Sequence, residues 1–175
     1  MGSHWVLCCN NHFINHQNIY EMARQENEPL EGRNLMLYIN TAETNETPQW
    51  KAQALATSHT ITYNSETKER LTKDSPGGNP EKRITSVKVT IKADALRTFG
   101  DADKKLLLKT MKEKKNILLK YGLAAAVEQT GDEYEEGEFV IESLEETSQA
   151  GEDVTYSAQF SSSGEIVTKQ KGEQK

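Results

Sequence analysis

The chain has little of what marks enzymes, membrane proteins and nucleic-acid binders. Its two cysteines, Cys8 and Cys9, are adjacent, a poor arrangement for bridging one another, so no disulfide framework is implied and a reducing compartment fits. Apolar residues make up 35% of the 175 residues, below the ~45–50% usual for a globular domain. That shortage predicts a thin core, with stability shared with neighbours wherever strand edges stay open. No apolar run approaches the ~20 residues of a membrane helix. The net charge of −6 has the wrong sign for a protein that gains affinity by neutralising phosphates. The length allows one domain and is short for two.

Histidine is scarce and unevenly placed. His4, His12 and His16 share the first stretch with both cysteines, and beyond Glu21 only His59 remains. The change in composition predicts a boundary: residues 1–21 read as an extraneous or disordered N-terminal extension, with Met22 as the natural start. Cys8, Cys9, His12 and His16 are competent zinc ligands, but their spacing matches no established finger and the segment is too polar to fold around a metal. A secretion signal does not fit either, because Trp5–Cys9 is shorter than the ~7–15 apolar residues required and no basic region precedes it.

No catalytic, metal-binding or cofactor-binding residues are expected. His59 falls on the apolar parity of a strand with Ile61 and Tyr63, which suits a satisfied core or interface histidine better than a general base. The pairs Asp132-Glu133 and Glu135-Glu136 lie on an acidic run without the fixed geometry of paired-carboxylate chemistry, and the run lacks the ordered oxygen spacing of a calcium loop. Gly77-Gly78 lies between prolines with no helix after it, so it is no phosphate cradle.

What is present is alternation. Leu35-Met-Leu-Tyr-Ile39 reads as a strand buried on both faces. In Ala52–Ser65, Leu55, Thr57, His59, Ile61 and Tyr63 share one parity. Val87, Val89, Ile91, Ala93 and Ala95 alternate without a break against Lys88, Thr90, Lys92 and Asp94, the pattern of a strand with one wet face. Further strands are expected at Ile117–Val127 (bent at Gly122), Phe139–Ser148 and Val154–Phe160. Between the second and third strands, Glu66–Arg83 reads as a long polar loop broken by Pro76, Gly77, Gly78 and Pro80. One helix is expected over 101–115, capped by Asp101, with Leu107, Leu108 and Met111 on its apolar face. Residues 169–175 read as a flexible C-terminal tail.

Charge is blocked. Lys104–Lys120 is basic except for Glu113, and Glu128–Asp153 contains no Lys or Arg. Solvated surfaces of opposite sign are one reading. The other is complementary patches meeting between identical subunits, the head-to-tail contact that generates rings or filaments.

Three stretches together resemble the phage major tail proteins that build tail tubes, of the lactococcal siphophage type. They are Leu35–Asn40; Leu55–Thr67 continuing through Leu71-Thr-Lys-Asp-Ser75 to Val87–Ala95; and Ser148–Ile166 with its Asp153-Val-Thr-Tyr-Ser157 run. The Thr72-Lys-Asp74 turn is the most specific element. Family members often carry a tryptophan soon after it, where Gly77, Gly78 and Asn79 stand here. The resemblance implies a mainly β, antiparallel sandwich or barrel-like tail tube fold over 22–168 with one flanking helix. It implies a structural virion protein without enzymatic activity or cofactor, made in the host bacterial cytoplasm. Rings, hexameric by this likeness, would stack into a channel that DNA crosses without specific binding, and no membrane would be involved. Partners would be further copies of itself, a tape-measure protein, a tail terminator and distal tail or baseplate proteins. The loop carrying Lys68, Arg70, Lys73, Asp74, Ser75, Pro76, Gly77 and Gly78 would reach a neighbouring subunit or ring. The inner tube of a contractile injection machine would share this architecture. An Ig-like adhesion module is the alternative from another class.

Overall fold

The computed structural model describes residues 29–42, 45–70 and 80–172. The expectations for residues 1–21, 71–79 and 173–175 lie outside the described residues. The chain divides into two compact units, Met1–Leu30 and Glu31–Lys175, and every element described below belongs to the second.

Among the described residues, eight strands and one α-helix follow a short 3-10 turn: β1 (Leu35–Asn40), β2 (Trp50–Ala52), β3 (Ala56–Arg70), β4 (Glu81–Leu96), α1 (Ala102–Lys112), β5 (Ile117–Leu123), β6 (Glu133–Thr147), β7 (Thr155–Ser162) and β8 (Val167–Gln170). All pairings are antiparallel, in the order β2-β1-β5-β6-β7-β4-β3, with β8 beside the start of β6. The sheet does not close into a barrel. It ends at β2 and β3, and it curls enough for His59 of β3 to meet Tyr121 of β5 edge-on, ring centroids 6.4 Å apart.

The period of two sets the core. Val89, Ile91, Ala93 and Ala95 of β4 and Tyr156, Ala158 and Phe160 of β7 are buried, facing Leu37, Ile39, Ile117, Leu119, Phe139 and Ile141 in one cluster. Two bulges shift the parity. In β6 the register slips between Ile141 and Ser143, so Leu144 rather than Ser143 packs against the core. In β3 it slips at Thr57, so Ala56 takes the inward position and Leu55, expected inside, is exposed with φ +49°.

Other boundaries move for physical reasons. β5 stops at Leu123 and runs through Gly122, where a Cβ would lie 2.7 Å from Cβ of Tyr134; the glycine admits a close neighbour and makes no bend. β6 begins at Glu133, six residues before the expected Phe139, because β5 and β8 pair with its acidic start. β8 takes Lys169 and Gln170 out of the segment expected to be a loose tail.

The helix forms where expected, with the Asp101 side chain accepting the Lys104 N–H at 3.0 Å. Its inward face differs. Asp103 and Leu107 are buried and Leu106 packs on the core, while Leu108 and Met111 are exposed. Asp103 explains the rotation: Lys51 Nζ donates to it at 2.5 Å and the Ala54 N–H at 3.0 Å. A buried carboxylate with charge-assisted partners holds the first helical turn against the β2–β3 connection.

Candidate assembly surface

β3 and β4 are the longest pair in the sheet, running from Ala56–Ala95 to Arg70–Glu81 with two register shifts. β7 covers β4 only over Thr90–Leu96. Beyond that point the two strands leave the sheet as a free ribbon. Every residue of 62–70 and 81–88 is exposed. At the fork, the Val89 N–H that β7 no longer receives donates to Ser162 Oγ at 3.0 Å. The stretches Glu66–Arg70 and Glu81–Arg83, expected as loop, are therefore strand. They contain no apolar residue, so alternation gave no signal there; cross-strand pairing sets their structure instead.

The ribbon has two unlike faces. Tyr63, Ser65, Thr67 and Glu69 pair with Val89, Val87, Ile84 and Lys82, on the face that continues the core face of β4 by the alternation of a strand. Ile84 lies three residues from Val87, the wrong spacing for a regular strand. A bulge at Thr85 corrects it: the register slips between Glu66 and Thr67, with Thr85 Oγ1 donating to the Glu66 carbonyl at 3.1 Å. Such an extra residue bends the strand and re-aims side chains. The result is a line of half-exposed apolar side chains, Tyr63, Val87 and Ile84, leading outward from the buried Val89.

On the other face, Lys68 stands directly opposite Arg83. Like charges placed so are destabilising to the pair. Of the residues expected to make subunit contacts, Lys68 and Arg70 lie on this ribbon; Lys73, Asp74, Ser75, Pro76, Gly77 and Gly78 lie outside the described residues.

The Tyr63 hydroxyl donates to a Glu135 carboxylate oxygen, tying the base of the ribbon to β6 across the curl. Burial of that hydroxyl end, then the Glu135 carboxylate, raises the Tyr63 pKa, although the ring itself is more than half exposed. This residue was missed as an anchor because its partner lies 72 positions away. His59, further down the same strand, has its Nε2 3.1 Å from Gln53 Oε1. Burial, the largest cause, holds its pKa below the ordinary value. Among the described residues no group of three His, Cys, Asp or Glu side chains is placed to hold a metal.

Part of the two charge blocks meets within one chain. Lys104 and Arg97 pair with Glu146, and Lys120 pairs with Glu128 at 3.2 Å. Glu136 binds Lys169 at 2.9 Å, Glu142 accepts from Lys88 and Gln159, and Glu138 from Asn45 and Asn116. Burial alone would raise the Glu128 pKa, but bonds from Lys171 and Lys120 bring it below the ordinary value.

Comparison with known proteins gives this geometry a context. Residues 29–168 match a family model described as phage tail tube protein. No curated protein matches the chain by sequence. Among solved structures, the fold is similar to the SPP1 tail tube (TM-score 0.66, 15% identity, 82% of this chain and 80% of that one). It is similar to a chain from the tail of an empty gene transfer agent particle with C6 symmetry (TM-score 0.63, 15% identity, 81% and 99%). It is also similar to a chain of a contractile injection system sheath–tube complex (TM-score 0.58, 9% identity, 82% and 93%). At these identities the likeness is one of fold.

Proposed function

This chain belongs to the phage tail tube protein family, and we propose that it is the tail tube subunit of a virion, with six copies forming a ring and rings stacking into the channel that DNA crosses. One observation carries the reading: β3 and β4 continue past their last neighbour as a ribbon whose apolar face is uncovered. An isolated two-stranded ribbon is marginal in water, and a second copy supplies what it lacks. Among the described residues the sheet also ends at β2 and β3, whose outer edges have no strand partner there and are open to pairing. The C6 symmetry of the gene transfer agent tail supports six copies per ring.

The numbers favour assembly by repetition. Full burial of a Val, Leu or Ile side chain contributes about 1.5–3 kcal/mol, so completing the burial of half-exposed Tyr63, Ile84 and Val87 contributes only part of that at each. One such contact is weak. Six around a ring act together through effective concentration.

The ribbon, with Lys68, Arg70 and the turn Lys73–Gly78, is the element that reaches a neighbouring subunit or ring. The role is structural, with no reaction and no cofactor. The partners are further copies, a tape-measure protein, a terminator and distal or baseplate proteins. The net charge of −6 suits a wall that phosphates slide past. The likeness to a contractile sheath–tube complex favours one second reading, an inner tube within a contractile sheath. Negative-stain microscopy of the chain lacking Lys73–Pro80 tests the ribbon: monomers should stay folded while tubes are lost, and normal tubes would refute its role.

A further inference from the structure

The opposite end of the β3–β4 hairpin has an equally unusual surface. Phe99, in the turn between β4 and α1, is fully exposed, the extreme for a large apolar side chain among the described residues. A shallow cleft beside it is lined by Phe99, Gly100, Glu152, Asp153, Val154 and Arg97, whose guanidinium is held by Glu146. Glu152 and Asp153 are exposed. Unlike most of the acidic block, they have no side-chain partner among the described residues. The cleft thus joins an aromatic wall to two carboxylates without partners among the described residues, since Arg97 is paired with Glu146.

The free ribbon offers a match on one of its two faces. One face carries Ile84 and Val87. The other carries Lys68 and Arg83 directly opposed, with no acidic side chain compensating either among the described residues. Over Lys68–Arg70 and Glu81–Arg83 the ribbon holds four basic and two acidic residues. The opposed cations cost the lone ribbon stability and suit it to an acidic partner.

Within one molecule the two surfaces cannot meet. Arg83 lies 13 residues before the end of β4 at Leu96, about 43 Å at the ~3.3 Å rise of a strand. Resting on the reading that the ribbon contacts another copy, we infer that the receptor for its basic face is the Phe99 cleft of the next copy along the tube: Glu152 and Asp153 meet Lys68 and Arg83, and Phe99 lies against that same face. Guanidinium and aromatic groups also attract at such a site. A contact between unlike ends of identical molecules is heterologous and gives rings or open filaments; because these two surfaces lie at opposite ends of β4, this one is assigned to the tube axis and leaves the open sheet edges for pairing within a ring.

The test is a charge exchange in the full chain, read by sedimentation velocity and negative-stain microscopy. K68E/R83E replaces one like-charged pair by another, and a melting curve of the monomer checks that the fold is kept. E152K/D153K reverses the cleft. Each double variant should shorten or abolish tubes at least tenfold in polymerised fraction, and the combined quadruple variant should restore them. F99A, at a site without buried contacts, should melt as the parent does and fail to polymerise. If K68E/R83E polymerises normally, the role of the ribbon itself fails. If it is impaired while E152K/D153K and F99A polymerise normally, the ribbon acts elsewhere and the cleft is refuted. Impairment of both double variants without restoration in the quadruple variant likewise refutes their direct pairing.

Discussion

Lys51 and Asp103 meet at 2.5 Å, joining β2 to the first turn of α1, and the same carboxylate accepts the Ala54 N–H. Asp103 is buried while Lys51 is half exposed, so removing the carboxylate lets the lysine rehydrate but strands a backbone donor. Asp103→Ala should cost about 1–3 kcal/mol, a fall in Tm of very roughly 3–10 °C for a domain of this size. Asp103→Asn, which keeps an acceptor, should lose less. Calorimetry on both variants decides it; an unchanged Tm for Asp103→Ala would remove the pair from the account.

Gly122 and Gly137 differ in what a side chain would strike. At Gly122 the obstacle is Cβ of Tyr134, 2.7 Å away, close to the backbone of β6. At Gly137 the nearest atom is Cδ1 of Ile166, the far end of a flexible side chain. Overpacking costs ~1–3 kcal/mol. Gly122→Ala should therefore unfold at lower urea than Gly137→Ala, and the reverse order would contradict the packing described between β5 and β6.

Two groups make stability depend on pH in the same direction. The His59 pKa is lowered in the fold, mainly by burial, so its contribution is complete above the unfolded value near ~6.5 and is lost as pH falls through that range. The Glu128 pKa is lowered too: burial opposes the shift, and bonds from Lys171 and Lys120 outweigh it. Its contribution is complete above about 4.3 and is lost as pH falls below it. Urea midpoints measured from neutral to acid pH should decline in these two windows. His59→Gln should flatten the first and Glu128→Gln the second.

The apolar face of the ribbon should matter to assembly and little to the monomer. Ile84→Ser and Val87→Ser replace side chains already more than half exposed, where surface substitutions stay within about 0.5 kcal/mol. Melting should barely change while the polymerised fraction drops. A variant that melts early and polymerises fully would show the face to be structural only.

The buried half of the hairpin was legible because Val89, Ile91, Ala93 and Ala95 repeat with a period that only a one-sided strand explains. Its free half was not. Glu66–Arg70 offers no apolar residue to read, and Ile84 sits out of phase with Val87 until the bulge at Thr85 is known. Asp103 shows a second limit. Its position suggested a favourable charge at a helix start, and the lysine that fixes it lies 52 residues earlier. Leu107, Leu108 and Met111 formed a credible apolar face by spacing; the anchored carboxylate turned the helix so that Leu106 and Leu107 pack instead. The charge blocks were visible as blocks, but which charges pair internally depends on the curl that brings Lys104 to Glu146.

The central claim is that copies of this chain complete one another into a hollow tube, and electron microscopy of the concentrated full-length protein tests it most directly. The account predicts rings with an open centre that stack into tubes as concentration rises. A particle that stays monomeric at every concentration, with its ribbon apolar face still bare, would contradict it.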